Sequence, residues 1–166
     1  DVEAIASSVI DFATFEVAEE ASERVDLLSL VESVADGYPQ ATLEDGAVQA
    51  RELVCEARPI ALKRCIANLV QNAIAYGKQA EIGLARSGDF AVVSVRDAGP
   101  GIPQARLDAV FSPFVRLEAS RSRETGGLGL GLTIARNIAR AAGGEIVLAN
   151  HPEGGLLAEL RLPLAA

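Results

Sequence analysis

Apolar residues recur along this chain in two rhythms, one near 3.6 residues and one of two, and the switches between them mark the elements. Val2, Ile5, Val9 and Phe12 are spaced by three and four, which predicts one apolar helical stripe over residues 1–16. Such a stripe packs against a partner helix. It reads either as the end of a helical hairpin or dimer stalk, or as an N-terminal helix folded onto the domain. Residues 17–23 are acidic and polar and read as a linker. Arg24–Asp26 predicts a short strand, with Asp26 capping a helix over Leu27–Tyr38 whose buried face is Leu27, Leu30, Val31 and Val34, stopped by Gly37 and Pro39. The alternation within Ala47–Ala57 predicts one or two short strands. Pro59 opens a strong helix, Ile60–Tyr76, with a stripe of Ile60, Cys65, Ile66, Leu69, Val70, Ala73 and Ile74.

Ala80–Arg86 and Phe90–Asp97 predict an antiparallel hairpin turned at Ser87-Gly88-Asp89. Residues 98–126 lack a regular pattern apart from a helical piece at Gln104–Val110, and a connection this long is a lid or a disordered segment. Leu130, Ile134 and Ile138 predict a further helix, ended by Gly143-Gly144. Glu145–Asn150 and Leu156–Leu164 form a second hairpin around His151–Gly155.

At 166 residues the chain is enough for one core, and its hydrophobic content of 49% means that it folds. A net charge of −8 argues against a general nucleic-acid binder. The two cysteines, Cys55 and Cys65, lack metal-ligand spacing and read as reduced, buried small residues. No apolar run reaches membrane-spanning length.

Three stretches carry candidate chemistry. Asn68 and Asn72 are four apart on one helix face, although Asn competes with the helix backbone. They are either satisfied at the surface or face a polar ligand, where an amide oxygen can coordinate Mg²⁺. Asp97 at a strand end, followed by Ala98-Gly99-Pro100-Gly101, puts a carboxylate at a bend that a ligand can approach closely, or makes an ordinary turn. Gly127-Leu128-Gly129-Leu130-Gly131-Leu132 empties into a helix N-terminus, where free N–H groups and the helix dipole suit phosphate. It is not a P-loop, which needs a Lys-Ser/Thr after the glycines, nor a dinucleotide fingerprint, which needs a strand before them. Arg116, Arg121 and Arg123 are basic in an acidic chain and suit closure over phosphates, or form a solvated loop. His151, the only histidine, sits in a Pro/Gly turn and reads as a surface residue.

Taken in order, these stretches resemble the boxes of the ATP-binding domain of bacterial sensor histidine kinases, a group shared with the Hsp90 chaperones and the type II topoisomerases. Asn68-Leu-Val-Gln-Asn72-Ala73 resembles the N box, Asp97-Ala-Gly99-Pro-Gly101 the G1 box, Phe111-Ser-Pro-Phe114-Val-Arg116 the F box and Gly127–Leu132 the G2 box. Gly154-Gly155 and a strand ending Leu162-Pro163-Leu164 match the closing segment. Each box is common alone, but their order and spacing are specific.

The resemblance implies an α/β fold: a two-layer sandwich (the Bergerat ATP-binding fold) of one mixed, mostly antiparallel sheet with three helices on one face and a mobile ATP lid. It implies residues 1–16 as the end of the dimerisation and phosphoacceptor hairpin, 17–23 as linker and 24–166 as the catalytic domain. By the same resemblance Asn68 and Asn72 are catalytic, with Asn72 on the Mg²⁺ and Asn68 near the phosphates. Tyr76, Asp97, Gly99 and Gly101 lie at the adenine, where Asp97 accepts from its amino group, and Ile102 is a further nucleotide-binding residue. Arg116, Gly127, Gly129, Leu130 and Gly131 serve the phosphates.

The implied activity is transfer of the γ-phosphoryl of ATP to a histidine on an upstream hairpin absent from this chain, in a homodimer, for relay to a response regulator. The chain lacks that histidine and is not active alone. The implied place is a cytoplasmic domain, itself without membrane contact, of a protein in the bacterial inner membrane. Two departures stand out: Ala75 where the family often has Lys or Arg, and Leu128 where it often has Thr or Ser. Lys78, Arg116 and Arg121 are the cations placed to compensate. Two alternatives have the same fold, a degenerate interaction module that no longer holds ATP and an anti-sigma-factor serine kinase.

Overall fold

The structure, a computed structural model, describes residues 20–44, 46, 53–101 and 131–165. The helix expected over residues 1–16, the alternating stretch 47–52 and the lid between 102 and 130 lie outside the described residues.

Among the described residues the chain forms β1 (Glu23–Asp26), α1 (Leu27–Asp36), β2 (Ala41–Leu43), β3 (Val54–Ala57), α2 (Pro59–Gly77), β4 (Ala80–Ser87), β5 (Phe90–Arg96), α3 (Gly131–Ala141), β6 (Glu145–Asn150) and β7 (Leu156–Pro163). Asp26 ends β1 and caps α1, its Oδ1 accepting from Leu28 N at 3.1 Å and its Oδ2 from Ser29 Oγ at 3.1 Å. The helix expected to reach Tyr38 stops at Asp36, two residues early, because Gly37 N–H turns back to Val34 O at 3.0 Å. Gly143, with φ +82°, and Gly144, which bonds Ala139 O at 2.9 Å, end α3.

Five strands make the main sheet in the order β2-β4-β5-β7-β6. Every pairing is antiparallel except β2 with β4, so the sheet is mixed. β1 and β3 pair separately, and a bridge from Cys55 to Leu164 joins them to the end of β7. The fold is thus the expected sandwich, with a small two-stranded sheet added to its one expected sheet. β2 has no counterpart among the expected strands: it is too short for a period-two pattern, and its pairing with β4 is nonlocal.

Alternation along the central strands turns Ile82, Leu84, Ala91, Val93, Val95, Leu160 and Leu162 inward, all buried. Leu27 and Val31 of α1, Leu62, Ile66 and Val70 of α2, and Ala135 and Ile138 of α3 join them in one core. Cys65 donates through Sγ to Ala135 O at 3.3 Å and ties α2 to α3. Burial pushes its thiol up to about 12, and that of Cys55 up to about 11, so both are protonated at neutral pH.

Two contacts give testable energies. Helix α2 has Arg58 at its N-cap and no capping side chain of its own. Glu20 supplies one from the segment before β1: Oε2 accepts from Ile60 N at 2.8 Å, Oε1 from Ala61 N at 3.0 Å, and Arg58 Nε donates to the Glu20 carbonyl at 2.8 Å. The carboxylate also meets the positive end of the helix dipole. Glu20→Ala is expected to cost about 1 kcal/mol of unfolding free energy in a denaturant titration, and an unchanged midpoint would mean that this cap does not form.

Beyond the C-terminus of α3, Glu145 meets Arg140 Nε at 3.0 Å and Arg136 Nε at 3.7 Å. Burial raises the Glu145 carboxyl, but the Ile146 N–H and the two arginines outweigh it and hold it below its usual 4.5. A lowered folded pKa means that the unfolded chain binds more protons, so this contribution is present above the unfolded pKa and fades as pH falls through the folded one. The group is half-exposed and screened, so the effect is below ~1 kcal/mol. The stability gap between wild type and Glu145→Gln is therefore expected at pH 7 and should close under acid; a gap constant with pH would contradict it.

Candidate active site

The site is built where β5 runs out. Asp97 follows Arg96 and turns inward, and it is the one polar or charged residue among the described residues that is buried, at 4% exposure. A buried carboxylate needs hydrogen bonds to offset its desolvation. Its Oδ1 accepts from Gly99 N at 2.8 Å and from Leu156 N at 3.0 Å, while Asp97 N donates to Leu156 O at 3.0 Å. The carboxylate is thereby fixed between its own loop and the start of β7. No described group donates to Oδ2, so that oxygen is an acceptor with capacity for an external N–H.

Glycines let the backbone crowd around Asp97. An added Cβ at Gly77 would lie 2.6 Å from Asp97 Cβ and 2.7 Å from both Ala98 N and Gly99 N, so the last turn of α2 rests directly on this loop. A Cβ at Gly99 would lie 2.8 Å from the Tyr76 carbonyl. Gly101, with φ +80°, lies against Asn150 Oδ1, and Gly155, with φ +85°, lies against the Asp97 carbonyl; in both the missing Cβ and the left-handed backbone favour glycine.

Helix α2 carries the two asparagines toward the same end of the molecule. Asn68 is half-buried, and its Nδ2 donates to the carbonyl of Gly131, the first residue of α3, at 3.2 Å. Part of its amide is thus satisfied by protein, which accounts for one asparagine in a helix interior. Asn72, one turn on, is half-buried, and among the described residues no hydrogen bond engages its side chain. The first turn of α3 contains no acidic residue. Gly131 is exposed, and an added Cβ there would meet nothing within 4 Å. This helix end can therefore receive an anion.

The structure brings Asn68 next to Gly131, and Tyr76, Asp97, Gly99 and Gly101 into one loop-and-helix junction. Ile102, Arg116, Gly127, Gly129 and Leu130 lie outside the described residues. Lys78, a candidate compensating cation, is the left-handed C-cap of α2 with φ +67°, and Ala75 is half-buried on the helix. His151 is a turn residue: its N–H bonds Gly155 O at 2.8 Å and its Nδ1 accepts from Glu153 N at 3.0 Å.

Gly77, Asn150 and the Leu156 N–H join the site without belonging to any of the stretches that carry candidate chemistry in the sequence. Helix α2 was expected to end at Tyr76. It includes Gly77, and the left-handed residue is Lys78, so Gly77 is there for close approach rather than for the cap. Its only sequence signal is its place beside an expected adenine-site residue. The partnership of Leu156 with Asp97 spans two distant hairpins and has no local signal.

A buried carboxylate with one oxygen that no donor among the described residues engages, close-packed glycines and an exposed helix N-terminus fit a purine triphosphate. Comparison with known proteins agrees. Residues 57–166 match the model of the histidine kinase-, DNA gyrase B-, and HSP90-like ATPases. The sensor histidine kinase GtrS of Pseudomonas aeruginosa is 45% identical over 144 residues, covering 85% of this chain and 29% of that protein. The sensor protein RstB of Escherichia coli is 41% identical over 104 residues, 62% of this chain and 24% of RstB. This chain thus spans less than a third of these relatives' length.

Among solved structures, the catalytic domain of the histidine kinase ThkA superposes with a TM-score of 0.71 at 25% identity, covering 87% of this chain and 96% of that one. The ATP-binding domain of PrrB from Mycobacterium tuberculosis superposes at 0.70 with 23% identity, covering 89% and 100%, a likeness of fold. The chain belongs to the histidine kinase-, DNA gyrase B- and HSP90-like ATPase family, as the catalytic ATP-binding domain of a sensor histidine kinase.

Proposed function

We propose that this domain binds Mg-ATP and directs its γ-phosphoryl group to a histidine on a helical hairpin upstream in the whole protein, for relay to an aspartate of a response regulator. In this reading residues 1–16 end that hairpin in a homodimer, 17–23 link it to the domain, and 24–166 hold the nucleotide. The observation that carries the proposal is the buried Asp97, with Oδ1 held by two backbone N–H groups and Oδ2 left as an acceptor.

Each residue does one thing. Asp97 Oδ2 accepts from the exocyclic amine of adenine, a contact that a 6-oxo purine cannot supply. Gly77 and Gly99 let the backbone close around the base. Asn68 holds the start of α3 against α2, so that the N–H groups at the start of α3 face the phosphates; Gly127 and Gly129 are assigned to the phosphates from their place in the sequence motif. Asn72 offers its amide oxygen to Mg²⁺, which when bound neutralises phosphate charge. Transfer is then largely positioning and charge neutralisation, with the acceptor imidazole as nucleophile. No helix among the described residues is long and apolar enough to cross a membrane. We place the domain on the cytoplasmic side of an inner-membrane sensor.

The test is calorimetric titration with a non-hydrolysable ATP analogue, with and without Mg²⁺. Saturable binding strengthened by Mg²⁺ is expected, with Asn72→Ala abolishing the strengthening but not the binding. Absence of binding at millimolar analogue would sink the proposal and favour a degenerate interaction module, in line with Ala75 and Leu128.

A further inference from the structure

The turn between β6 and β7 is gripped from both faces by two consecutive residues. Side chains alternate along a strand, so Arg96 and Asp97 point to opposite sides. On one side, Arg96 Nε and Nη2 both donate to the Gly154 carbonyl, at 3.1 and 3.0 Å. On the other, Asp97 exchanges hydrogen bonds with Leu156. Gly155 lies between, packed on the Asp97 carbonyl. Arg96 Nη1 also comes within 3.9 Å of Glu153 Oε2, but Glu153 is 81% exposed and the pair is screened. Gly154 and Gly155 have φ of +106° and +85°. Glycines adopt such values without strain, but their own backbone does not hold them there. Within the turn, Gly154 N bonds His151 O at 2.9 Å and His151 N bonds Gly155 O at 2.8 Å. The bidentate grip of Arg96 and the Leu156 exchange anchor that turn to the end of β5.

We infer that Arg96 is a positioning residue for adenine recognition: it fixes the glycine turn at Gly154 and so keeps Leu156 N–H on Asp97 Oδ1, leaving Oδ2 for the base. This rests on the reading of Asp97 as the adenine acceptor. Arg96 does not touch the nucleotide; it limits the orientations open to the carboxylate.

Calorimetric titration with ADP, with and without Mg²⁺, tests this on the wild type, Arg96→Ala, Arg96→Gln and Arg96→Lys, with Asp97→Asn as control. Arg96→Ala should weaken binding about three- to tenfold, the range of one or two lost hydrogen bonds. The ratio of affinities with and without Mg²⁺ should stay that of the wild type, because the metal side is untouched. Arg96→Lys, which can place one donor, should recover part of the loss. The Leu156 amide should exchange faster in Arg96→Ala while amides at the centre of β4 keep their protection.

Wild-type affinity in Arg96→Ala overturns the inference. So does a collapse of the Mg²⁺ ratio or of β4 protection, which would make Arg96 a general fold residue. Should Arg96→Ala not fold, Arg96→Gln is judged by the same criteria. If the wild type does not bind, or Asp97→Asn binds equally well, the adenine reading itself fails, an outcome distinct from failure of Arg96 alone.

Discussion

Asp97→Asn is expected to abolish measurable binding of an ATP analogue while leaving the domain folded, whereas Asp97→Ala loses both binding and stability. The difference follows from how the two carboxylate oxygens are used. Oδ1 serves the protein, accepting from Gly99 N at 2.8 Å and Leu156 N at 3.0 Å. Asparagine keeps an oxygen for those donors but sets an NH₂ group where the adenine amine would donate. The lost hydrogen bond to a charged group accounts for about 1.5–3 kcal/mol, and donor facing donor adds to it. Alanine removes both oxygens and strands the buried Leu156 N–H, at about 1–3 kcal/mol of fold stability. Calorimetry with thermal unfolding of both variants decides the matter. An Asp97→Asn protein that binds like the wild type would remove Asp97 from the adenine site.

Gly77→Ala should cost at least about tenfold in nucleotide affinity, although alanine is the better helix former. Helix propensity favours the substitution by about 1 kcal/mol. Against it, the new Cβ would stand 2.6 Å from Asp97 Cβ and 2.7 Å from two backbone nitrogens of the same loop. Those atoms belong to backbone tied to β7 and cannot swing away as a flexible side-chain tip would. Overpacking of this kind costs about 1–3 kcal/mol, so sterics win and either α2 or the Asp97 loop shifts. A loop displaced relative to the helix that carries Asn72 misplaces the base against the metal. The measurement is analogue affinity alongside the denaturant midpoint; unchanged affinity would show that the loop has slack.

Much of this molecule was legible along the chain because its signals are local. The stripes of α1, α2 and α3, the alternation in β4, β5, β6 and β7, and the punctuation at Asp26, Pro59, Gly88 and Gly143 each lie within a few residues of the element they define. Ile60 is the exception, expected in the α2 stripe but 77% exposed in the first turn of the helix, ahead of the stretch that packs on the core. The order Asn68, Asn72, Asp97, Gly99, Gly101 and the later glycines pointed to the family, since covalent order survives however the chain packs.

Tertiary structure decided what depends on partners far apart in the chain. β2 exists through pairing with β4, and β1 with β3 stand as a second small sheet. Glu20 caps a helix that begins beyond Arg58. Asn68 spends one donor on Gly131 rather than on a ligand. The Asp97 carboxylate is aimed by Leu156, and the turn before Leu156 is held by Arg96. A residue type and its spacing announce that a carboxylate sits at a bend. Which of its oxygens is consumed by the protein depends on backbone donors that only folding brings within 3 Å.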